Sequence, residues 1–232
     1  MGNRASEEHG LQAVRVWDLP TRVFHWSLVA CVIGSVVSVK IGGNAMQWHL
    51  RFGYAVFSLL AFRFLWGFAG GRWSRFASFL YSPRTLWRYL RGLSHRSEHL
   101  EVGHSPLGSL SVFALLLFLA AQVGTGLFAD DEIATTGPLI RFVSGAASLG
   151  LTSYHKHVGQ WVLLALVALH VAAIVTYRLR QRRDLVGPMI SGDKQLAAGV
   201  PASDDSHATR ALAVVLLTAC AAVVAWLVTL GG

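Results

Sequence analysis

The chain has 232 residues, 53% of them hydrophobic and only 14% charged, with a formal net charge of +8 and a mean hydropathy of +0.49. Soluble domains carry about 25% charged residues, so this composition excludes an ordinary soluble protein and points to a lipid bilayer. In such a chain an excess of Lys and Arg bears on topology, and no nucleic-acid role is expected.

The first twenty residues, MGNRASEEHGLQAVRVWDLP, are polar. They lack the short apolar core and small-residue cleavage site of a signal peptide, and are expected to form a tail. Five apolar runs follow, at Thr21 to Val39, Met46 to Gly70, Pro106 to Phe128, Thr152 to Tyr177 and Thr209 to Leu230. Each meets the roughly 20 residues that a spanning helix needs. Pro20 and Pro106 stand at helix starts, where a missing N–H costs nothing. Lys40 to Ala45, with Gly42, Gly43 and Asn44, is a short turn, so the first two helices are antiparallel neighbours. Residues 71–104 are basic and aromatic, with an interfacial helix expected around Pro83 to Leu93. A polar linker over 184–208 precedes the fifth run, which has neither histidine nor charge from Ala211 to Leu230. The expected architecture is all-α and integral to the membrane. A four-helix transmembrane domain over 21–183 is followed by an appended fifth transmembrane helix over 209–232. Cys31 and Cys220 lie in apolar runs, and no disulfide is expected.

Charge gives an orientation. Arg4, Arg15 and Arg22, the arginines of residues 71–104, and those of residues 178–210 fall on one side of the membrane. The other side has only Lys40, Arg51, Arg141 and Lys156, beside the acidic Asp130, Asp131 and Glu132. The positive-inside rule puts the first side, and the N-terminus, in the cytoplasm.

The histidines can then be placed by depth. In YHKHVGQWVLLALVALHVAA, His155 and His170 are fifteen residues apart, about 22 Å along a helix and within about 60° of one face. His25 begins the first helix on the inner half, and His49 begins the second near the outer face. Depth pairs His25 with His170 and His49 with His155, and each pair brackets a space suited to a bis-imidazole haem. His157 rivals His155, but its side chain turns about 140° from His170. Intramembrane imidazoles are costly and mark function. Arg51 and Arg22 are candidates for the carboxylate side chains of haem, against simple interfacial anchoring. Arg63, inside FSLLAFRFLWGF, needs a partner or must snorkel. Gln122 is a second buried polar group. His95, His99 and His207 are expected to be solvated, and His104, which opens the third helix, to be a surface histidine, with a quinone site or a contact to a haem carboxylate as the alternative. No C-x-x-C-H occurs, so any haem is held without a covalent tether.

VWDLPTRVFHW, MQWHLRFGYAVFSLLAFRFLWGF, GHSPLG, TGLFADDEI and YHKHVGQWVLLALVALH together resemble the bacterial cytochrome b561 family, which includes the cytochrome b subunits of nickel–iron hydrogenases. The resemblance covers about Val16 to Ile190. It implies a four-helix bundle holding two haem b groups, with His25, His49 and His170 as ligands and the remaining ligand at His155 or His157. It also implies electron transfer in a respiratory chain of the bacterial inner membrane. The expected exchange partners are the quinone pool (ubiquinone or menaquinone) and an extracytoplasmic c-type cytochrome or hydrogenase. A quinone-coupled superoxide oxidase is the alternative from another class, and a haem-free membrane anchor is the third.

Overall fold

The computed structural model describes residues 10–93 and 100–231. His95 and His99, and Arg4 and Arg96 of the charge argument, lie outside the described residues. Among the described residues five helices are long and apolar enough to cross a membrane. They contain α1 (Leu19–Ile41), α2 (Met46–Ala69), α4 (Pro106–Gly126), α6 (Gln160–Arg180) and α8 (His207–Thr229). Three shorter helices are α3 (Pro83–Leu90), α5 (Gly145–Tyr154) and α7 (Val186–Ser191). Large apolar side chains face outward on the spanning helices: Ile33 is 58% exposed, Leu117 67% and Leu169 66%. In water that pattern would drive aggregation; in a bilayer it is the solvated surface. The protein is a mostly helical, multi-pass membrane protein.

The chain divides into two compact units. One contains residues 24–64, 113–171 and 214–231 of the described chain. Its core is Val56, Leu119 and Leu163, joined by Leu28, Cys31 and Val123, so α1, α2, α4 and α6 all contribute to one bundle. Along α2, Tyr54 and Ser58 share a groove with Ala221, Val224 and Val228 of α8. The turn between α1 and α2 uses Gly42 and Gly43 at φ 70° and 54°, values an L side chain rarely adopts. The fourth run is longer than expected and is not a uniform helix. It starts at α5, capped by Ser144, passes through a π-helical turn at His155–Gly159, and continues as α6.

The other unit contains residues 10–23, 65–93, 100–112 and 172–213 of the described chain. Here a two-stranded antiparallel sheet pairs β1 (Leu11–Arg15) with β2 (Asp193–Ala197). The polar tail and the polar linker are therefore partly folded against each other. Asp18 is completely buried at the start of α1. Its Oδ1 accepts from Thr21 N at 2.7 Å and from Trp66 Nε1 at 3.2 Å. Its Oδ2 accepts from Ser74 Oγ at 2.6 Å and from Gly71 N at 3.1 Å. One carboxylate thus caps α1 and ties down the segment that follows α2. Asp205 gathers Arg15 at 2.6 Å and Arg210 at 3.0 Å. Burial pushes its carboxyl up, but Arg210, the Leu19 N–H and Arg15 together hold it below the usual range.

Candidate haem sites

All four candidate histidines lie in the first-described unit and are half-buried. The His49 and His155 rings are 6.0 Å apart between centroids and nearly perpendicular, at 88°. Two imidazoles sharing one iron, at about 2 Å per bond, place their centroids about 6 Å apart. The protonation pattern also fits. His49 Nδ1 lies 3.0 Å from the Ser35 carbonyl, and His155 Nδ1 lies 2.9 Å from the Gln122 carbonyl. A carbonyl only accepts, so each Nδ1 carries the proton and each Nε2 keeps a lone pair for a metal. Ser35 Oγ and Thr125 Oγ1 add contacts at 3.0 and 3.3 Å.

The π turn belongs to this site. It begins at His155, and such turns are frequent at functional positions. Gln122 Nε2 donates to the His155 carbonyl at 3.0 Å while the Gln122 carbonyl accepts from the ring. Gln122, expected only as a buried polar group, is therefore the residue that orients His155. Gly159 leaves room for its amide: a Cβ there would overlap Gln122 Oε1. A Cβ at Gly126 would lie 3.1 Å from His155 Cε1, whereas one at Gly53 or Gly124 would meet nothing within 4 Å. Open space beside Gly53, one turn past His49, suits a flat macrocycle. His157 is exposed.

His25 on α1 and His170 on α6 are close enough for their charges to interact. His25 Nδ1 is buried with no hydrogen-bond partner among the described residues. Arg51 is exposed and stacks on Trp48 at 4.8 Å. In the other unit, Arg22 Nη1 donates to the Ile190 carbonyl at 2.6 Å, and Nη2 is 4.0 Å from Asp205. His104 is not a surface residue as expected. It lies between Trp17 at 4.8 Å and Phe79 at 4.6 Å, because GHSPLG folds back onto the aromatic residues around it. Arg63 is 4% exposed, so it is buried in protein rather than reaching out to a surface.

Among the described residues no group of three or more His, Cys, Asp or Glu could cage a bare ion. The His49 and His155 imidazoles, with each Nδ1 committed to a carbonyl, instead fit an iron whose remaining ligands come from a macrocycle, as in haem b.

Comparison with known proteins agrees with this chemistry. A family model described as prokaryotic cytochrome b561 matches residues 16–192. A Bradyrhizobium diazoefficiens protein named "Probable Ni/Fe-hydrogenase B-type cytochrome subunit" is 26% identical, over 80% of this chain and 87% of its own. A protein of the same name from Rhizobium leguminosarum bv. viciae is also 26% identical, over 82% of this chain and 94% of its own. The Escherichia coli "Probable Ni/Fe-hydrogenase 1 B-type cytochrome subunit" is 22% identical, over 76% and 88%. No solved structure gives a significant match.

Proposed function

The chain belongs to the prokaryotic cytochrome b561 family, and from that premise we propose that it is a di-haem carrier moving electrons between the two halves of a membrane. It is a membrane b-type cytochrome of electron transfer. Haem b supplies a one-electron ferric/ferrous couple when bound. The residues around it do the rest. His25 and His170 hold the inner haem, and His49 and His155 hold the outer one. Ser35 and Gln122 keep each outer Nδ1 protonated so that Nε2 faces the iron. Held between two imidazoles, each haem would leave no place for a substrate at its metal, so the residues fit electron transfer rather than chemistry at iron. The observation that carries this reading is the 6.0 Å spacing of the His49 and His155 rings, with each Nδ1 committed to a carbonyl.

The exchange partners proposed are the quinone pool on one side and an extracytoplasmic redox protein on the other. A hydrogenase is favoured over a c-type cytochrome because the relatives carry that word in their names. The location proposed is the bacterial inner membrane with the N-terminus in the cytoplasm, supported by the one-sided distribution of arginine. A pyridine haemochrome assay on the purified chain tests the site count. Two haems per chain, extractable by acid acetone, are expected. One haem per chain would remove the two-site reading.

A further inference from the structure

The short helix α3 is built with two unlike flanks. Ser82 caps its start, accepting from Thr85 N at 3.1 Å, and Gly92 at φ 69° closes its end. There Gly92 N donates to the Tyr89 carbonyl at 3.0 Å and Leu93 N to the Arg88 carbonyl at 2.9 Å, the paired bonds of a Schellman motif. So short a helix is marginal in water by itself, and these caps fix where its side chains point. Tyr89 faces protein: it is half-buried, and its hydroxyl donates to Glu101 Oε1 at 3.3 Å. At about 100° per residue, Trp87 stands about 160° from Tyr89, and it is 57% exposed. Leu90 lies about 60° to one side of Trp87, while Arg91, Arg84 and Arg88 lie about 40°, 60° and 100° to the other. Leu90 and the flanking Leu80 and Leu93 are all exposed.

An apolar flank beside a cationic one, divided by a tryptophan, is the pattern of a helix lying in the headgroup layer. The arginines have a feature that such a helix does not need. Arg84 stands in the first turn, which holds no acidic residue, and a cation there opposes the helix dipole. No Asp or Glu occurs from Leu19 to Ser97, so Arg84 and Arg91, both exposed, have no acidic neighbour along the chain. The Arg91 guanidinium is stacked over the Trp87 ring at 4.4 Å. Stacking engages its face and leaves the N–H fork at its edge for a phosphate. We propose that α3 is a binding site for an anionic phospholipid, with Arg84 and Arg91 on the headgroup phosphate and Trp87, Leu80 and Leu90 against the acyl chains. A free phosphate would satisfy the arginines but leave the apolar flank bare, so the occupant is a lipid. The cation of a zwitterionic headgroup would add to a positive charge already in excess, so a net anionic lipid is preferred.

Native mass spectrometry of the full chain in detergent tests this, with phosphatidylglycerol and phosphatidylcholine of matched chains as probes. The parent should bind phosphatidylglycerol about tenfold or more tightly, and Arg84→Gln/Arg91→Gln should bring the ratio close to one. Arg178→Gln/Arg180→Gln, at the end of α6, should keep the parent ratio. Glycerol phosphate, which has no chains, should not displace the lipid at equal concentration. Equal binding of both lipids by the parent, or an undiminished preference in Arg84→Gln/Arg91→Gln, overturns the proposal. So does loss of the preference in Arg178→Gln/Arg180→Gln, or displacement by glycerol phosphate. Thermal melts of the single variant Arg84→Gln separate lipid binding from a purely structural role. Removing the cation relieves its conflict with the dipole, so in lipid-free detergent Arg84→Gln should melt no lower than the parent. In nanodiscs it should lose part of the gain that the parent shows in phosphatidylglycerol over phosphatidylcholine. A lower melting temperature in detergent, or the full gain retained in phosphatidylglycerol, overturns the proposal.

Discussion

Asp18→Ala is the substitution whose cost can be worked most directly from the geometry. The carboxylate is fully buried and accepts four hydrogen bonds, from Thr21 N, Trp66 Nε1, Gly71 N and Ser74 Oγ. Losing the cap on α1 costs about 1 kcal/mol. Gly71 N, left buried without this acceptor, costs about 1–3 kcal/mol. Ser74 Oγ, and Trp66 Nε1, which keeps Thr21 Oγ1 at 3.2 Å, each lose a hydrogen bond to a charged group worth about 1.5–3 kcal/mol. Water entering the vacated space recovers part of this, so the net loss is about 4 kcal/mol or more. For a chain of this size that lowers the melting temperature by about 8–16 °C. Asp18→Asn keeps the shape and one accepting oxygen but turns an NH₂ toward two donors, so it should fall between parent and Asp18→Ala. Because His25 lies only six residues into α1, the inner haem should be released before the outer one as the start of that helix loosens. Thermal melts in detergent, followed by tryptophan fluorescence and haem absorbance, measure both effects. A melting temperature for Asp18→Ala within about 2 °C of the parent, less than about 1 kcal/mol, would refute the reasoning.

Lys194 gives a pH signature. Burial holds its ammonium down to about 8, although the Glu101 carboxylate pulls the other way. The unfolded chain keeps that proton up to about 10.4, so between pH 8 and 10.4 the unfolded state binds more protons and stability should rise with pH. Lys194→Met should abolish this rise in denaturant titrations, and equal slopes in parent and variant would contradict it. Gly126→Val should drive the His155 ring aside and remove the outer spectral component, while Gly124→Ala, which meets open space, should keep both; difference spectra read the contrast. In a cysteine-free background, Ala134→Cys should react with an impermeant thiol reagent in intact cells and Arg91→Cys should not. The reverse pattern would invert the proposed topology.

The membrane fold was legible because its signal is local and repeated. Apolar runs of bilayer length begin and end within a few residues of the observed helices in four of the five spans. The candidate ligands could be named for a related reason: an imidazole in an apolar run stands out against its surroundings. Residues whose roles depend on distant partners were not. Arg15 and Asp205 meet across 190 positions, and β1 finds β2 from the opposite end of the chain. Asp18 gave no sign in the sequence that Trp66, Gly71 and Ser74 return to it. The π turn at His155 was hidden because periodicity assumes a regular helix. GHSPLG gave no sign that Trp17 and Phe79 would enclose His104. Gln122 showed only that something polar was buried, since its partner is a backbone carbonyl that no side-chain pattern reveals.

The most direct test of the central claim is redox-resolved absorbance of the four histidine variants. The two-pair geometry predicts that His49→Ala and His155→Ala lose one and the same spectral component, that His25→Ala and His170→Ala lose the other, and that His157→Ala keeps both. Loss of the same component by His25→Ala and His49→Ala would contradict the pairing by depth.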